Sequence, residues 1–180
     1  MSTFNFIEKY KIPKKICDDL ITYYKKNIEY KNIGQIGLGT NKKMKDSTDV
    51  SFYNNSKNKT IQSFFNLLSS CVIKYSKKYN IRDTIHTYVC NNIQYYKPKR
   101  GFPVLHYERN SISPKRILAY MLYCNTVTDN GGTEFPYQNI TLSAVKGNLI
   151  IWPAEFTHPH KGVISSTQEK YIVTGWFEII

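Results

Sequence analysis

Three stretches stand out by residue type and spacing. His106-Tyr107-Glu108 sets an imidazole and a carboxylate two residues apart. His158-Pro159-His160 follows further along, and Lys170 stands ten residues after His160. Two imidazoles and one carboxylate can hold one face of a ferrous ion and leave the opposite face open. On a strand, side chains two apart point to the same side, so one short strand could supply both His106 and Glu108. The third donor must come from elsewhere in the sheet. His158 and His160 are themselves two apart, so alternation does not separate them. A basic residue on the next strand could hold a dicarboxylate beside the metal. Taken alone, His-x-Glu is a common tripeptide whose ordinary role is on the surface or in the core.

Such a site needs a scaffold. The chain has 180 residues, 41% of them hydrophobic, with 15 Tyr and 9 Phe. That is enough for one domain with a real core, and it is not a disordered composition. Lys and Arg number 25 against 13 Asp and Glu, a net charge of +12. This charge is compatible with a nucleic-acid partner, an acidic substrate or an anionic surface. It is mostly lysine, scattered over the N-terminal half, with four Arg and three Ala in the whole chain. An AT-rich coding sequence explains that pattern more simply. Cys17, Cys71, Cys90 and Cys124 form no CxxC pair and sit among apolar neighbours, as expected of buried free thiols in a reducing compartment. No basic segment followed by an apolar run opens the chain, and no apolar stretch reaches the ~18 residues of a membrane-spanning helix. A cytoplasmic protein without a membrane partner is expected, with a virus-encoded origin left open.

Phe4, Phe6, Ile7 and Tyr10 alternate loosely and predict an edge strand within 4–12. Pro13 suits a first helical turn, with Asp18 and Asp19 near that helix's start. Ile16, Leu20, Ile21, Tyr24 and Ile28 recur along one side of it. Residues 32–56, with Gly34, Gly37 and Gly39, read as a loop with a short strand near 49–52. Those glycines do not make a phosphate loop, since no strand leads in and no helix with Lys-Ser/Thr follows. Residues 58–79 predict the clearest helix, with Ile61, Phe64, Phe65, Leu68, Cys71, Val72, Tyr75 and Tyr79 on one stripe. From Asp83 on, 84–97, 103–109, 116–125, 139–151, 155–161 and 170–179 read as strands separated by Gly, Pro, Asn or Ser. Helices first and strands after predict an α+β chain. Six or more strands at this spacing predict a two-sheet roll or barrel with the helices on its outer face. No linker, repeat or low-complexity tract divides it. Residues 1–82 read as helical support and 83–180 as a β core of one domain.

Residues 92–178 resemble the catalytic core of the prolyl-4-hydroxylase-like family of Fe(II)/2-oxoglutarate oxygenases. The runs that carry the resemblance are Asn92-Ile-Gln-Tyr-Tyr-Lys-Pro98, Ile117-Leu-Ala-Tyr-Met-Leu-Tyr-Cys-Asn125, Gly131-Gly-Thr-Glu-Phe135, Lys146-Gly-Asn-Leu-Ile-Ile-Trp-Pro153 and Glu169-Lys-Tyr-Ile-Val-Thr-Gly-Trp176. The N-terminal helix and Lys45-Asp46-Ser47 also look like the way that family begins. The resemblance implies a double-stranded β-helix, or jelly roll, with N-terminal helices packed on one sheet. It implies Fe(II), 2-oxoglutarate as co-substrate and O2, with ascorbate as a further factor. The implied reaction hydroxylates an unactivated C–H bond while 2-oxoglutarate loses carbon dioxide to give succinate.

On this resemblance His106 and Glu108 are the first two metal ligands. The family usually has Asp where Glu108 stands, and the extra methylene carries the carboxylate ~1.5 Å further from the backbone. In the family the distal His precedes a short Gly-containing turn, with the co-substrate's Lys or Arg on the strand that follows. Gly162 follows His160 closely, and Lys170 is ten residues from His160 and twelve from His158. His160 is therefore the third ligand, and His158 has a supporting or substrate-side role. Lys170 pairs with the distal carboxylate of 2-oxoglutarate, Thr174 adds a hydroxyl on the same face, and Tyr96 hydrogen-bonds that carboxylate. Tyr95 competes for the last role from the other face. Trp152 and Trp176 read as core or pocket walls, Trp176 on the substrate side. No acid, base or nucleophile is assigned beyond the metal ligands. Peptidyl proline in a protein or peptide is the leading substrate. Nucleic acid, favoured by the charge, or a small metabolite is the alternative for the same chemistry. A non-catalytic jelly-roll binding module is the third reading, and the presence of all three candidate ligands and of Lys170 argues against it.

Overall fold

Residues 4–37 and 39–179 are described by the structure, a computed structural model. Strand β1 (Glu8–Lys11) leads into helix α1 (Lys14–Lys26). The short strands β2 (Asn32–Ile33), β3 (Gln35–Ile36) and β4 (Gly39–Thr40) precede β5 (Thr48–Tyr53) and helix α2 (Lys59–Tyr79). The β-rich half holds β6 (Ile85–Thr87), β7 (Cys90–Tyr96), β8 (Arg116–Tyr123), β9 (Thr133–Phe135) and β10 (Ile140–Leu142). It ends with β11 (Asn148–Pro153), β12 (Lys161–Gly162) and β13 (Lys170–Ile179).

The main sheet is antiparallel in the order β1-β11-β8-β13-β7-β5-β2, with β6 also paired to β13. A smaller sheet, β10-β9-β12, makes the second layer of the roll. Period-two alternation explains why one strand serves two layers. In β8, Leu118, Tyr120 and Leu122 share a cluster with Leu20 of α1 and Phe64 and Leu68 of α2. Ala119, Met121 and Tyr123 face the other way, toward Phe135 and Trp152. The helices cover one face, as the α+β reading expects, and the inner face lines the roll.

Helix α2 follows its sequence closely. Ile61, Phe64, Leu68, Cys71 and Tyr75 form its buried stripe, and the Asn58 side chain accepts from the backbone N–H groups of Thr60 and Ile61. Asn80 ends it in the left-handed region at φ 53°. Pro13 sits just before α1 rather than in its first turn, and Asp18 and Asp19 lie beyond that turn. Strands β1 and β5 show that residues 1–82 supply sheet as well as helix. All four cysteines are free, three of them buried. No helix among the described residues is long and apolar enough to cross a membrane.

The strands expected over 103–109 and 155–161 do not form. Both segments run irregularly and meet in a single bridge, His106 to His160. Pro103 and Pro159 lack the N–H a ladder needs, which interrupts regular pairing there. The span 139–151 divides into β10 and β11 around Gly147, whose φ of +85° and approach to the Ile12 carbonyl leave no space for a side chain. Strand β9 escapes sequence reading because three residues are too short to show alternation.

Candidate active site

His106 and Glu108 lie between β7 and β8, and His160 lies just before β12. Backbone bonds lace these irregular segments together. His106 N–H donates to the His160 carbonyl at 3.0 Å and His160 N–H to the His106 carbonyl at 2.8 Å. The N–H groups of Glu108 and Arg109 both donate to the Ala154 carbonyl, at 3.0 and 2.8 Å. The three side chains converge as a result. Glu108 Oε1 lies 3.3 Å from His160 Nε2 and 3.7 Å from His106 Nε2. One donor atom from each of the three lies within 4.8 Å of the other two.

The far nitrogen of each imidazole sets its tautomer. His106 Nδ1 meets the Val104 carbonyl at 2.8 Å, and His160 Nδ1 meets the His158 carbonyl at 3.1 Å. A carbonyl only accepts, so each Nδ1 carries the hydrogen and each neutral ring turns an Nε2 lone pair inward. Two lone pairs and a carboxylate oxygen then face one point with no donor among them. That arrangement calls for a cation. Burial pushes the Glu108 carboxyl up, but its two imidazole neighbours, His106 and His160, outweigh burial and hold it well below the usual carboxylate range, so it stands as an acceptor-only carboxylate. Phe102 stacks on the His106 ring at 4.0 Å, and Trp152 stands edge-on to His160 at 5.0 Å. Both contacts restrict ring rotation.

The second oxygen, Glu108 Oε2, accepts from the Trp176 indole N–H at 2.8 Å. Arg116 lies over the Trp176 ring at 3.7 Å and donates through Nη1 to the Glu108 backbone carbonyl at 3.3 Å. Sequence reasoning missed Arg116; its only sign is an arginine heading an apolar run. The Trp176 N–H is thus engaged by Glu108. His158 is not in the cluster: Nε2 meets the Asn5 carbonyl and Nδ1 meets the Thr157 hydroxyl, both at 2.9 Å. Its backbone carbonyl, not its ring, serves His160.

Lys170 pairs in register with Tyr96 across β13 and β7. Its ammonium is buried, 2.9 Å from the Gly131 carbonyl and 5.2 Å from the centre of the Tyr96 ring. It has no carboxylate partner among the described residues, and burial pushes its pKa down to about 8. Thr174 lies on the same face, and its buried hydroxyl has no hydrogen-bond partner. The Tyr96 hydroxyl donates to Gln94 Oε1 at 2.7 Å. Tyr95 points to the opposite side, against Tyr24 and Tyr171. The face therefore brings Tyr96, not Tyr95, beside Lys170.

Residues 91–178 match the family model of the 2OG-Fe(II) oxygenase superfamily. This segment is a 2OG-Fe(II) oxygenase domain. Solved structures share the oxygenase fold over nearly the whole chain. A viral collagen prolyl hydroxylase from Paramecium Bursaria Chlorella virus-1, in its 2OG complex, superposes with a TM-score of 0.77 at 18% identity, over 98% of this chain and 97% of that one. A Pseudomonas putida prolyl-4-hydroxylase gives 0.78 at 13% identity, over 96% and 92%. A Trichoplax adhaerens prolyl hydroxylase, in complex with a hypoxia inducible factor oxygen degradation domain peptide fragment, gives 0.80 at 11% identity, over 97% and 84%. Likeness at such identities shows the fold. No curated protein sequence matches the chain. The oxygenase family works with Fe(II), 2-oxoglutarate and O2. The residues present fit those groups: a convergence of acceptors that needs a cation, and a buried ammonium and hydroxyl that lack an anion and a partner.

Proposed function

We propose that this oxygenase hydroxylates peptidyl proline. In this reading His106 Nε2, Glu108 Oε1 and His160 Nε2 hold Fe(II), and Lys170, with Thr174 and Tyr96, holds the distal carboxylate of 2-oxoglutarate. The observation that carries it is the pairing, on one inner face, of an acceptor-only cluster with a buried ammonium that has no anion of its own. A buried charge without a counterion is costly, and a dicarboxylate relieves that cost. Iron and 2-oxoglutarate, when bound, supply the activation of dioxygen that couples loss of carbon dioxide to hydroxylation.

The chain's own residues bind, orient and exclude water. The Val104 and His158 carbonyls keep the imidazole lone pairs aimed inward. Glu108 contributes the anion that partly neutralises a divalent cation. Phe102, Phe135 and Trp152 surround the imidazoles with apolar surface. A peptide substrate is supported by the prolyl hydroxylases that share the fold, one of them solved with a peptide fragment. Leu105 and Tyr107, each 46% exposed, flank His106 and offer apolar contact to an extended chain.

The test is succinate release by the full chain with Fe(II), 2-oxoglutarate and O2, in the presence of a proline-rich peptide or of an oligonucleotide. Peptide-dependent succinate, with a one-oxygen mass gain on proline, is the expected result. Stimulation by the oligonucleotide alone overturns the peptide reading and leaves the oxygenase standing.

A further inference from the structure

Glutamate brings one more rotatable bond to a metal site than aspartate does, so its carboxylate must be fixed by something outside itself. The surroundings of Glu108 divide its two oxygens. Oε1 faces both imidazoles, at 3.3 and 3.7 Å, while Oε2 is engaged by the Trp176 N–H at 2.8 Å. Ligation through both oxygens would have to compete with that indole hydrogen bond.

Trp176 is itself held. It sits in β13 opposite Ala119, its carbonyl accepts from the Tyr88 N–H at 2.8 Å, and the Tyr88 ring meets it edge-on at 6.0 Å. The guanidinium of Arg116 covers its other contact surface at 3.7 Å. Arg116 also reaches Glu108 twice, donating to its backbone carbonyl at 3.3 Å and lying 3.9 Å from Oε2. The buried Nε of Arg116 has no partner, so stacking and these two contacts are what anchor it. Strand, indole and guanidinium together form a brace behind the carboxylate.

We infer that Trp176 and Arg116 are positioning residues that hold Glu108 as a one-oxygen metal ligand, and that Glu108 and Trp176 work as a matched pair. This rests on the ligand assignment proposed above. An aspartate at this position would draw its oxygens back by ~1.5 Å, one carbon–carbon bond, and leave the indole N–H without its acceptor. The brace is thus what suits a glutamate to this place.

The experiment is a thermodynamic cycle on Co(II) binding to the metal-free full chain without oxygen, following both affinity and the cobalt d–d spectrum. Trp176→Phe keeps the ring and its stack and removes only the N–H. It is expected to weaken Co(II) binding by roughly 10-fold, the lower end for loss of an outer partner of a metal ligand, and to change the spectrum. Added to Glu108→Asp, the same substitution is expected to cost nothing further, because the bond is already lost. Equal affinity and an unchanged spectrum for Trp176→Phe overturn the inference, as does an equal loss in both backgrounds. A wild-type chain that binds no Co(II) overturns the ligand assignment itself. Should Trp176→Phe not fold, the indole N–H resonance of Trp176 in the wild-type chain decides the matter. Slow exchange, a shift on adding Zn(II) and a shift on Glu108→Gln support the brace; fast exchange and indifference to both overturn it.

Discussion

The two faces of the main sheet treat buried polar groups differently. On the helix-facing side the large buried tyrosines are satisfied. Tyr75 donates to the Phe6 carbonyl at 2.7 Å, Tyr120 to Asn91 Oδ1 at 2.7 Å, and Tyr24 to the Thr48 carbonyl at 3.3 Å. On the inner face Thr174 Oγ1 and Trp152 Nε1 are buried without partners, and Lys170 has only a carbonyl. An unmade hydrogen bond costs about 1–3 kcal/mol, so the inner face carries a standing penalty that the outer face avoids. Strand β13 holds both policies at once. Tyr171, Val173 and Phe177 belong to the helix-side cluster, and Lys170, Thr174 and Trp176 alternate with them. One side is built for stability, and the other keeps groups waiting for a ligand.

Changes at the cation cluster should separate the faces most sharply. Glu108→Ala or His160→Ala is expected to abolish iron-dependent turnover of 2-oxoglutarate while the far-ultraviolet circular dichroism stays native. Full turnover in either variant removes that residue from the ligand set.

Lys170→Met comes next. A charge-assisted hydrogen bond is worth about 1.5–3 kcal/mol, so 2-oxoglutarate should bind roughly 10- to 100-fold more weakly by calorimetry. Removing an ammonium without a counterion should leave the ligand-free chain equally or more stable. The pH dependence has a definite sign. The Lys170 pKa falls from 10.5 to about 8 on folding, so between those values the unfolded chain binds more protons. Stability of the ligand-free chain should therefore rise with pH across that window relative to Lys170→Met. Affinity for 2-oxoglutarate should fall as pH rises through about 8, where the ammonium discharges.

On the helix-facing side the effects should reach stability alone. Leu122→Ala, at a fully buried position, is expected to cost about 2–5 kcal/mol in urea unfolding, with the KM for 2-oxoglutarate of the folded fraction unchanged. A changed KM would mean that the faces are coupled through β8. The smallest expected effect is Asn58→Ala, which removes the α2 cap for about 1 kcal/mol and leaves turnover alone.

Much of this was legible locally. The α2 stripe and the strands β7, β8 and β13 are short-range patterns of side-chain type, and they folded as their periodicity predicts. The choice of Tyr96 over Tyr95 also follows from alternation once Lys170 is placed on β13. The segments that bear His106, Glu108 and His160 were harder. They looked like strands by composition, yet prolines break their pairing, and their side chains are aimed by bonds to Ala154, Val104 and one another.

The sequence by itself determined which residue types were available for chemistry and which face of each regular element would be buried, because both depend on neighbours a few positions away. Only the tertiary structure decided that Glu108 would share its oxygens between two imidazoles and an indole, and that Arg116 would stand behind that indole. Apart from His106, two residues from Glu108, those partners lie 8 to 68 positions from it along the chain, and no local pattern records which distant side chains a closed roll brings within hydrogen-bonding reach.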